Sequence, residues 1–209
     1  MKYLILLFIL IDVTIAFSDT SKDISKEDSK KLALHFELIS NDFKNKGNIP
    51  LIHACHWLGG ENKSPHLAWS SPPENTKNFV LIMIDRGNKN SKRETNHWSV
   101  YNIPNDISSF SPGEELENKK GIVEGKNYEG KEGYAGPCPS EKHLYRFILF
   151  ALNKEMPIIE KGLTLSETDF KAIYEPHILG SAKLEGYFEP STLRLFINKI
   201  KRTLSNILN

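Results

Sequence analysis

Three ionisable side chains stand at the ends of three strand-like segments of the sequence. Asp85 follows the continuous apolar run 79–84, which is typical of a strand buried on both faces. His97 begins a second strand-like segment, and His143 precedes a third apolar run at 144–152. Because strand ends are where a buried sheet meets solvent, we expect the carboxylate and the two imidazoles to form one polar pocket at an edge of the sheet.

A pocket of this composition supports three kinds of chemistry. In a binding protein, protonated histidines and backbone N–H groups of the Gly/Pro-rich segment before His143 would donate to phosphate oxygens. Asp85 would fix a histidine tautomer and raise the pKa of that histidine, and binding would weaken as pH rises because a neutral imidazole has lost one donor. In a hydrolase, a histidine oriented by Asp85 would act as general base. In a metalloenzyme, Asp85, His97 and His143 would supply two histidines and one carboxylate.

The sequence favours the binding protein over the two enzymes. It contains no Gly-x-Ser-x-Gly motif, and we expect Cys138 to be bridged rather than nucleophilic. We therefore predict a binding function with no catalytic residue, no metal and no cofactor. A hydrolase or a metal-dependent enzyme that uses the Asp85, His97 and His143 cluster remains the alternative.

Charge excludes one large class of partner. The chain has 27 basic and 26 acidic residues, a formal net charge of +1, and no long basic stripe. Nucleic-acid binding proteins need such a stripe to contact phosphates. We expect no nucleic-acid partner.

The N-terminus has the pattern of a secretory signal peptide. Lys2 precedes the apolar run 3–11, and small residues lead to a predicted cleavage site after Ala16. An uncleaved membrane anchor is the alternative, and Asp12 argues against it because the carboxylate would lie in lipid. We expect a secreted or periplasmic protein with a signal peptide at 1–16 and a flexible polar segment at 17–32.

The two cysteines, Cys55 and Cys138, are expected to pair, because exported proteins fold in oxidising compartments. Two separate buried thiols are the alternative. The histidines at His53 and His56 flank the first cysteine, but no fourth ligand follows at zinc-site spacing. We interpret this segment as a strand that carries a bridged cysteine.

The remaining elements predict a mainly β protein of one domain at 33–189. A helix is expected at 166–174, with Ser166 as its cap and Asp169 as its third residue. A long loop is expected at 105–131, where apolar periodicity is almost absent. Strands are expected at 32–40, 66–69, 79–84, 97–104, 144–152 and 181–188.

Residues 190–209 predict a separate amphipathic, basic helix at the C-terminus. Its apolar residues recur at helical spacing, and its cations lie between them: Arg194, Lys199, Lys201 and Arg202. Packing on the domain and binding to a membrane surface or a partner are both compatible with this pattern.

Several ordered motifs resemble the phosphatidylethanolamine-binding protein family, and in particular its bacterial branch similar to the Raf kinase inhibitor. They lie within about 33–188 and follow the family's order. The matching segments are Asn62-Lys-Ser-Pro-His-Leu-Ala-Trp69, Asn75-Thr-Lys-Asn-Phe79, Asp85, His97-Trp98 with Asn102-Ile-Pro104, Gly133-Tyr-Ala-Gly-Pro-Cys-Pro139 and the run that begins at His143.

The resemblance implies a Greek-key-like β-sandwich with a small pocket for a phosphate-like group or a phospholipid head group. It also implies a possible protein partner, since the family is linked to inhibition of kinases or proteases. Exported bacterial relatives carry a cysteine pair at places similar to Cys55 and Cys138. The pocket residues that the family's motifs place in this sequence, with the loop that walls the pocket, are Asp85, His97, Pro137, Pro139, His143 and Tyr145.

Two departures from the family pattern concern this pocket. The family's Asp-Pro-Asp-Ala-Pro run reads Asp85-Arg-Gly-Asn-Lys, so Gly87 replaces the second aspartate. The segment between Pro139 and His143 is also shorter than usual. The lost carboxylate removes an acceptor that could orient a ligand, and we expect the ligand preference to differ from that of relatives.

Overall fold

The computed structural model describes residues 35–88, 94–119, 121–154 and 163–208. The predicted signal peptide and the polar segment 17–32 lie outside these residues. The described chain forms nine strands in two sheets. The strands are β1 (Glu37–Ile39), β2 (Gly47–Asn48), β3 (Leu67–Ser70), β4 (Asn78–Asp85), β5 (Thr95–Pro104), β6 (Ser109–Phe110), β7 (Val123–Glu124), β8 (His143–Leu152) and β9 (Ile178–Phe188).

The larger sheet has the order β2-β9-β8-β4-β5-β7. β4 lies at its centre and pairs antiparallel with β5 and β8 along its length. Seven consecutive residues of β4, from Asn78 to Ile84, are buried. The predicted strand buried on both faces is confirmed.

The smaller sheet, in the order β1-β3-β6, packs against one face of β4 and its neighbours. Trp69 of β3 contacts Phe79 of β4 edge to face, with ring centroids 5.7 Å apart, and Phe110 of β6 joins the same core. On the opposite face, Phe170 packs on Phe150 with ring centroids 4.8 Å apart. The mainly β sandwich predicted from the sequence is therefore confirmed.

Two α-helices complete the described chain. Helix α1 (Glu167–Tyr174) starts as predicted, because the Ser166 hydroxyl oxygen accepts a hydrogen bond from the Asp169 amide at 3.0 Å. Helix α2 (Thr192–Leu208) forms the predicted C-terminal helix. Among the described residues, neither helix combines the length and apolar character that crossing a bilayer requires.

The strand predicted around Cys55 is wrong. The chain instead forms two 3-10 helices, Leu51–His53 and His56–Leu58, which are separated by Ala54 and Cys55. The turn closes at Gly59, whose φ of 78° is left-handed. The adjacent Gly60 lies so close to Ala54 that a side chain there would collide with the Ala54 carbonyl. Several backbone groups of this tight turn bond within the segment, such as the Ala54 amide to the Leu51 carbonyl and the Leu58 amide to the Cys55 carbonyl.

The long loop predicted at 105–131 contains more order than its sequence indicates. The short strands β6 and β7 pair with β3 and β5, and a 3-10 helix forms at Leu116–Asn118. These elements are too short to produce a periodic pattern. β7 holds the second half of the loop beside β5, where the predicted pocket lies.

Candidate functional site

Asp85 is the last residue of β4, and the backbone that follows it fixes its carboxylate. Its Oδ1 accepts a hydrogen bond from the Gly87 amide at 2.6 Å. Gly87 has a φ of 66°, which glycine adopts without steric cost, and its carbonyl accepts from the Leu144 amide at 3.1 Å. Gly87, which replaces a carboxylate of the family pattern, thus supplies a turn and a donor to Asp85.

His143 is the first residue of β8 and forms the closest contact with Asp85. Its Nδ1 lies 2.8 Å from Asp85 Oδ2. Because an ionised carboxylate only accepts, Nδ1 carries the proton and donates. The His143 side chain is 23% exposed and that of Asp85 13% exposed, so solvent or a ligand can reach the pair.

His97 reaches the same carboxylate because of a β-bulge. Met83 pairs with Trp98 and Ile84 pairs with Asn96, so His97 is an extra residue in β5. Bulges redirect side chains in this way. The His97 Nε2 lies 3.9 Å from Asp85 Oδ2, and its Nδ1 lies 2.7 Å from the Ala135 carbonyl oxygen.

Burial lowers the pKa of His97 below its ordinary value of 6.5. The Ala135 carbonyl and the Asp85 charge act in the opposite direction, but desolvation is the larger effect. Asp85 thus acts on the pKa of His97 in the expected direction, but burial outweighs it and the net shift is downward. Because a carbonyl can only accept, neutral His97 has its proton on Nδ1 and an unprotonated Nε2 that faces the site.

Two tyrosines surround the imidazole of His97. The ring centroid of Tyr128 lies 4.5 Å from that of His97, and the ring centroid of Tyr145 lies 5.2 Å from it. Burial raises the pKa of Tyr128 to about 12. Burial first, and then the Asp85 charge, also raise the pKa of Tyr145. Both hydroxyls keep their protons at neutral pH.

The hydroxyl of Tyr145 is a polar group of this site whose hydrogen-bonding capacity the neighbouring residues do not fill. It is fully buried and makes no well-oriented hydrogen bond among the residues that the structure describes, although the Asp85 carboxylate is near enough to raise its pKa. Tyr145 is also the direct cross-strand neighbour of Asp85. A buried hydroxyl without a partner is costly and calls for an explanation, such as a ligand oxygen.

The Gly/Pro-rich loop at 133–139 fastens His97 to the rest of the domain. A disulfide joins Cys55 to Cys138, so the cysteines are bridged rather than separate thiols. The Cys55 amide donates to the carbonyl of the buried Pro137 at 3.0 Å, and Pro139 is buried in the same loop. The disulfide and this hydrogen bond hold the loop that carries the Ala135 carbonyl.

The expectation that this loop's amides bind a phosphate is wrong for three of them. The N–H groups of Gly133 and Ala135 donate to backbone carbonyls, and the Gly136 N–H donates to Asn62 Oδ1 at 2.7 Å. These three amides are therefore not available to an anion, and side-chain donors gain in weight. His143 and Tyr145 are the candidates.

The structure brings Asp85, His97, His143 and Tyr145 into one cluster. Sequence reasoning did not identify Tyr128, the Ala135 carbonyl or the Gly87 amide as parts of it. Tyr128 comes from the long loop, and a backbone bond from its amide to the Asn96 carbonyl, 2.9 Å long, holds it beside β5. Nothing in its sequence neighbourhood indicates this position.

In the described chain, neither the cluster of Asp85, His97 and His143 nor the pair His53 and His56 forms a metal-binding group. Within the residues that the structure describes, no three side chains of His, Cys, Asp or Glu are arranged to hold a metal ion. His53, beside the bridged cysteine, is buried, and its Nδ1 lies 2.9 Å from the Lys63 carbonyl oxygen. That contact gives His53 a structural role.

Comparison with known sequences identifies relatives in bacteria and archaea. The chain is 35% identical over 159 residues to a UPF0098 protein of Aquifex aeolicus, covering 70% of this chain and 88% of that protein. It is 37% identical over 154 residues to a UPF0098 protein of Methanothermobacter thermautotrophicus, covering 72% and 97%.

Solved structures show the same architecture. A protein of Chlamydia trachomatis described as a phosphatidylethanolamine-binding protein homologue superposes with a TM-score of 0.65 and 30% identity, covering 76% of this chain and 99% of that one. Escherichia coli YbcL, described as a member of the mammalian family of these proteins, also gives a TM-score of 0.65, with 26% identity, covering 75% and 99%. The family profile described as phosphatidylethanolamine-binding protein matches residues 39–189. The chain therefore belongs to the phosphatidylethanolamine-binding protein family.

Proposed function

We propose that the protein is an exported binding protein that takes a phosphate-like anion, free or as a phospholipid head group, at Asp85, His97, His143 and Tyr145. The observation that carries this proposal is the hydrogen bond from His143 Nδ1 to Asp85 Oδ2. It directs one ring nitrogen to the carboxylate and leaves Nε2 for a ligand. Inhibition or modulation of a protein partner, of the kinase or protease class, is part of the proposal.

The donors and acceptors of the cluster define the group that fits. Protonated His143 donates from Nε2, and the Tyr145 hydroxyl donates a second hydrogen bond. Neutral His97 accepts at Nε2, so a ligand hydroxyl or ammonium group next to the phosphoryl oxygens would be matched. Charge-assisted hydrogen bonds to phosphate oxygens contribute about 1.5–3 kcal/mol each, which suits weak to moderate affinity.

Binding is a better account of these residues than catalysis. An Asp–His pair can also orient a general base. A hydrolase of the thiol type would need a free cysteine, and both cysteines are bridged to each other. We propose no catalytic role for the cluster.

Calorimetry with inorganic phosphate and with glycerophosphoethanolamine tests the proposal and distinguishes a free anion from a head group. His143→Ala should weaken binding roughly tenfold or more, the equivalent of one lost hydrogen bond. His177→Ala is the matched control, since the His177 Nδ1 lies 3.3 Å from Asn153 Oδ1, outside the cluster. Unchanged affinity in both His97→Ala and His143→Ala would refute the site.

A further inference from the structure

The C-terminal helix α2 has a composition unlike that of the domain. It lies beyond residues 39–189, which the family profile matches. Between residues 192 and 208 the sequence has no acidic residue. Its four cations are Arg194, Lys199, Lys201 and Arg202. The helix is therefore strongly cationic within a chain that is close to neutral.

One side of α2 contacts the domain. Asn198 is buried, and its Nδ2 donates to the Trp57 carbonyl at 2.7 Å. Leu195 is half-buried and packs on the main core. At about 100° per residue, Leu195 and Asn198 share one side of the helix. This side carries only a little apolar surface.

The apolar stripe of α2 lies on the opposite side. Its members span an arc of about 100° that is centred about half a turn away from Leu195 and Asn198. They are exposed, with fractions from 41% to 72%, and they are Leu193, Phe196, Ile197, Ile200, Leu204 and Ile207. Within the described part of the chain, the hydrophobic side of the helix is therefore left uncovered.

We propose that α2 binds an anionic membrane surface, lying in the plane of the interface with this stripe in the lipid. Lys199 and Lys201 flank the two borders of the stripe, where their ammonium groups can reach lipid phosphates while their stems follow the apolar face. Clustered cations next to an apolar face suit anionic lipid. A second copy of the helix is a poor occupant, since each copy carries four cations and no carboxylate to pair with them.

Sedimentation of the full chain with vesicles of phosphatidylcholine, with and without phosphatidylserine, tests this proposal. The native protein should bind vesicles that contain phosphatidylserine much more tightly than vesicles without it. Ile200→Gln with Leu204→Gln should weaken that binding at least about tenfold, because two apolar side chains are lost from the interface. Lys199→Gln with Lys201→Gln should remove most of the preference for phosphatidylserine.

The matched control introduces glutamine into the same helix at two positions outside the apolar stripe. Ser205→Gln with Asn206→Gln changes two exposed residues and no charge, and should bind within about threefold of the native protein. The Ile200/Leu204 variant should keep its affinity for inorganic phosphate in calorimetry, so that this proposal and the proposed phosphoryl site fail separately. Equal binding by the Ile200/Leu204 variant and the native protein would overturn the proposal. A native dimer that the Ile200/Leu204 variant dissolves and that binds no vesicle would also overturn it.

Discussion

At the scale of single residues, the candidate site combines one ionised acceptor with imidazoles in different environments. Both His97 and His143 lie near Asp85, but only His143 donates to it directly. His97 is buried and donates to Ala135 instead. The two histidines therefore take different roles, His143 as the donor and His97 as the neutral acceptor.

The lowered pKa of His97 predicts how stability depends on pH. Because the folded pKa lies below the unfolded value of 6.5, the unfolded state takes up the proton first as pH falls. The free energy of unfolding should decrease as pH is lowered from about 6.5 toward the folded pKa. Urea denaturation across this range should show a shallower decrease for His97→Gln and an unchanged decrease for His177→Gln. Equal slopes in all three proteins would contradict the assignment.

Because of the environment of the Tyr145 hydroxyl, we expect Tyr145→Phe to affect the stability of the protein and its affinity for phosphate differently. Tyr145→Phe removes a buried hydroxyl that gains no hydrogen bond in the described chain, so the free energy of unfolding without ligand should stay level or rise by about 1 kcal/mol. Phosphate affinity should fall, since a donor is lost. Denaturant titration and calorimetry measure the two effects.

Tyr101→Phe is the control for that substitution. The Tyr101 hydroxyl donates to the Leu163 carbonyl and accepts from the Leu165 amide, each at 3.3 Å. Its loss should lower the free energy of unfolding by about 1 kcal/mol and leave phosphate binding unchanged. A strong loss of stability in Tyr145→Phe would show that its hydroxyl is already satisfied.

At the scale of secondary-structure elements, a β-bulge and a loop bring the residues of the site together. The bulge in β5 gives His97 access to Asp85, and the loop at 133–139 holds its ring in place through Ala135. The Cys55–Cys138 disulfide links this loop to the 3-10 helices across 83 residues of sequence. The loop thus has both a covalent and a hydrogen-bonded anchor.

The disulfide should therefore contribute to stability and to ligand binding together. Replacing both cysteines with serine should lower the free energy of unfolding by about 4 kcal/mol on the chain-entropy model. Phosphate affinity should fall as well, because the Ala135 carbonyl is held less firmly. Chemical denaturation and calorimetry of the double variant test both effects. Full phosphate affinity in a folded double variant would mean that hydrogen bonds alone position the loop.

At the scale of the whole molecule, the C-terminal helix packs only at the edge of the core of the β-sandwich. The main core joins both sheets, while α2 contributes Leu195 at its periphery. Its larger apolar residues remain exposed. The helix therefore adds little to the burial that stabilises the domain.

Deletion of residues 190–209 should accordingly change the thermal midpoint by only a few degrees, since about 1 kcal/mol corresponds to a shift of this size. Differential scanning calorimetry of the native and truncated chains measures it. Phosphate binding should be unchanged, because the pocket lies within the sandwich. A fall of tens of degrees would show that α2 is part of the core.

The sequence by itself determined the features that depend on local pattern. The apolar run of β4, the capping of α1 by Ser166 and the amphipathic C-terminal helix all follow from neighbouring residues, and the ordered motifs indicated the family. The candidate ionisable residues could also be named, because Asp85 and His143 mark strand ends. Tertiary structure alone decided the bulge that moves His97, the tight turn near Cys55, the position of Tyr128 and the direction of the α2 stripe. Each of these depends on contacts between segments distant in sequence, and so does the burial that lowers the pKa of His97, so no local pattern records them.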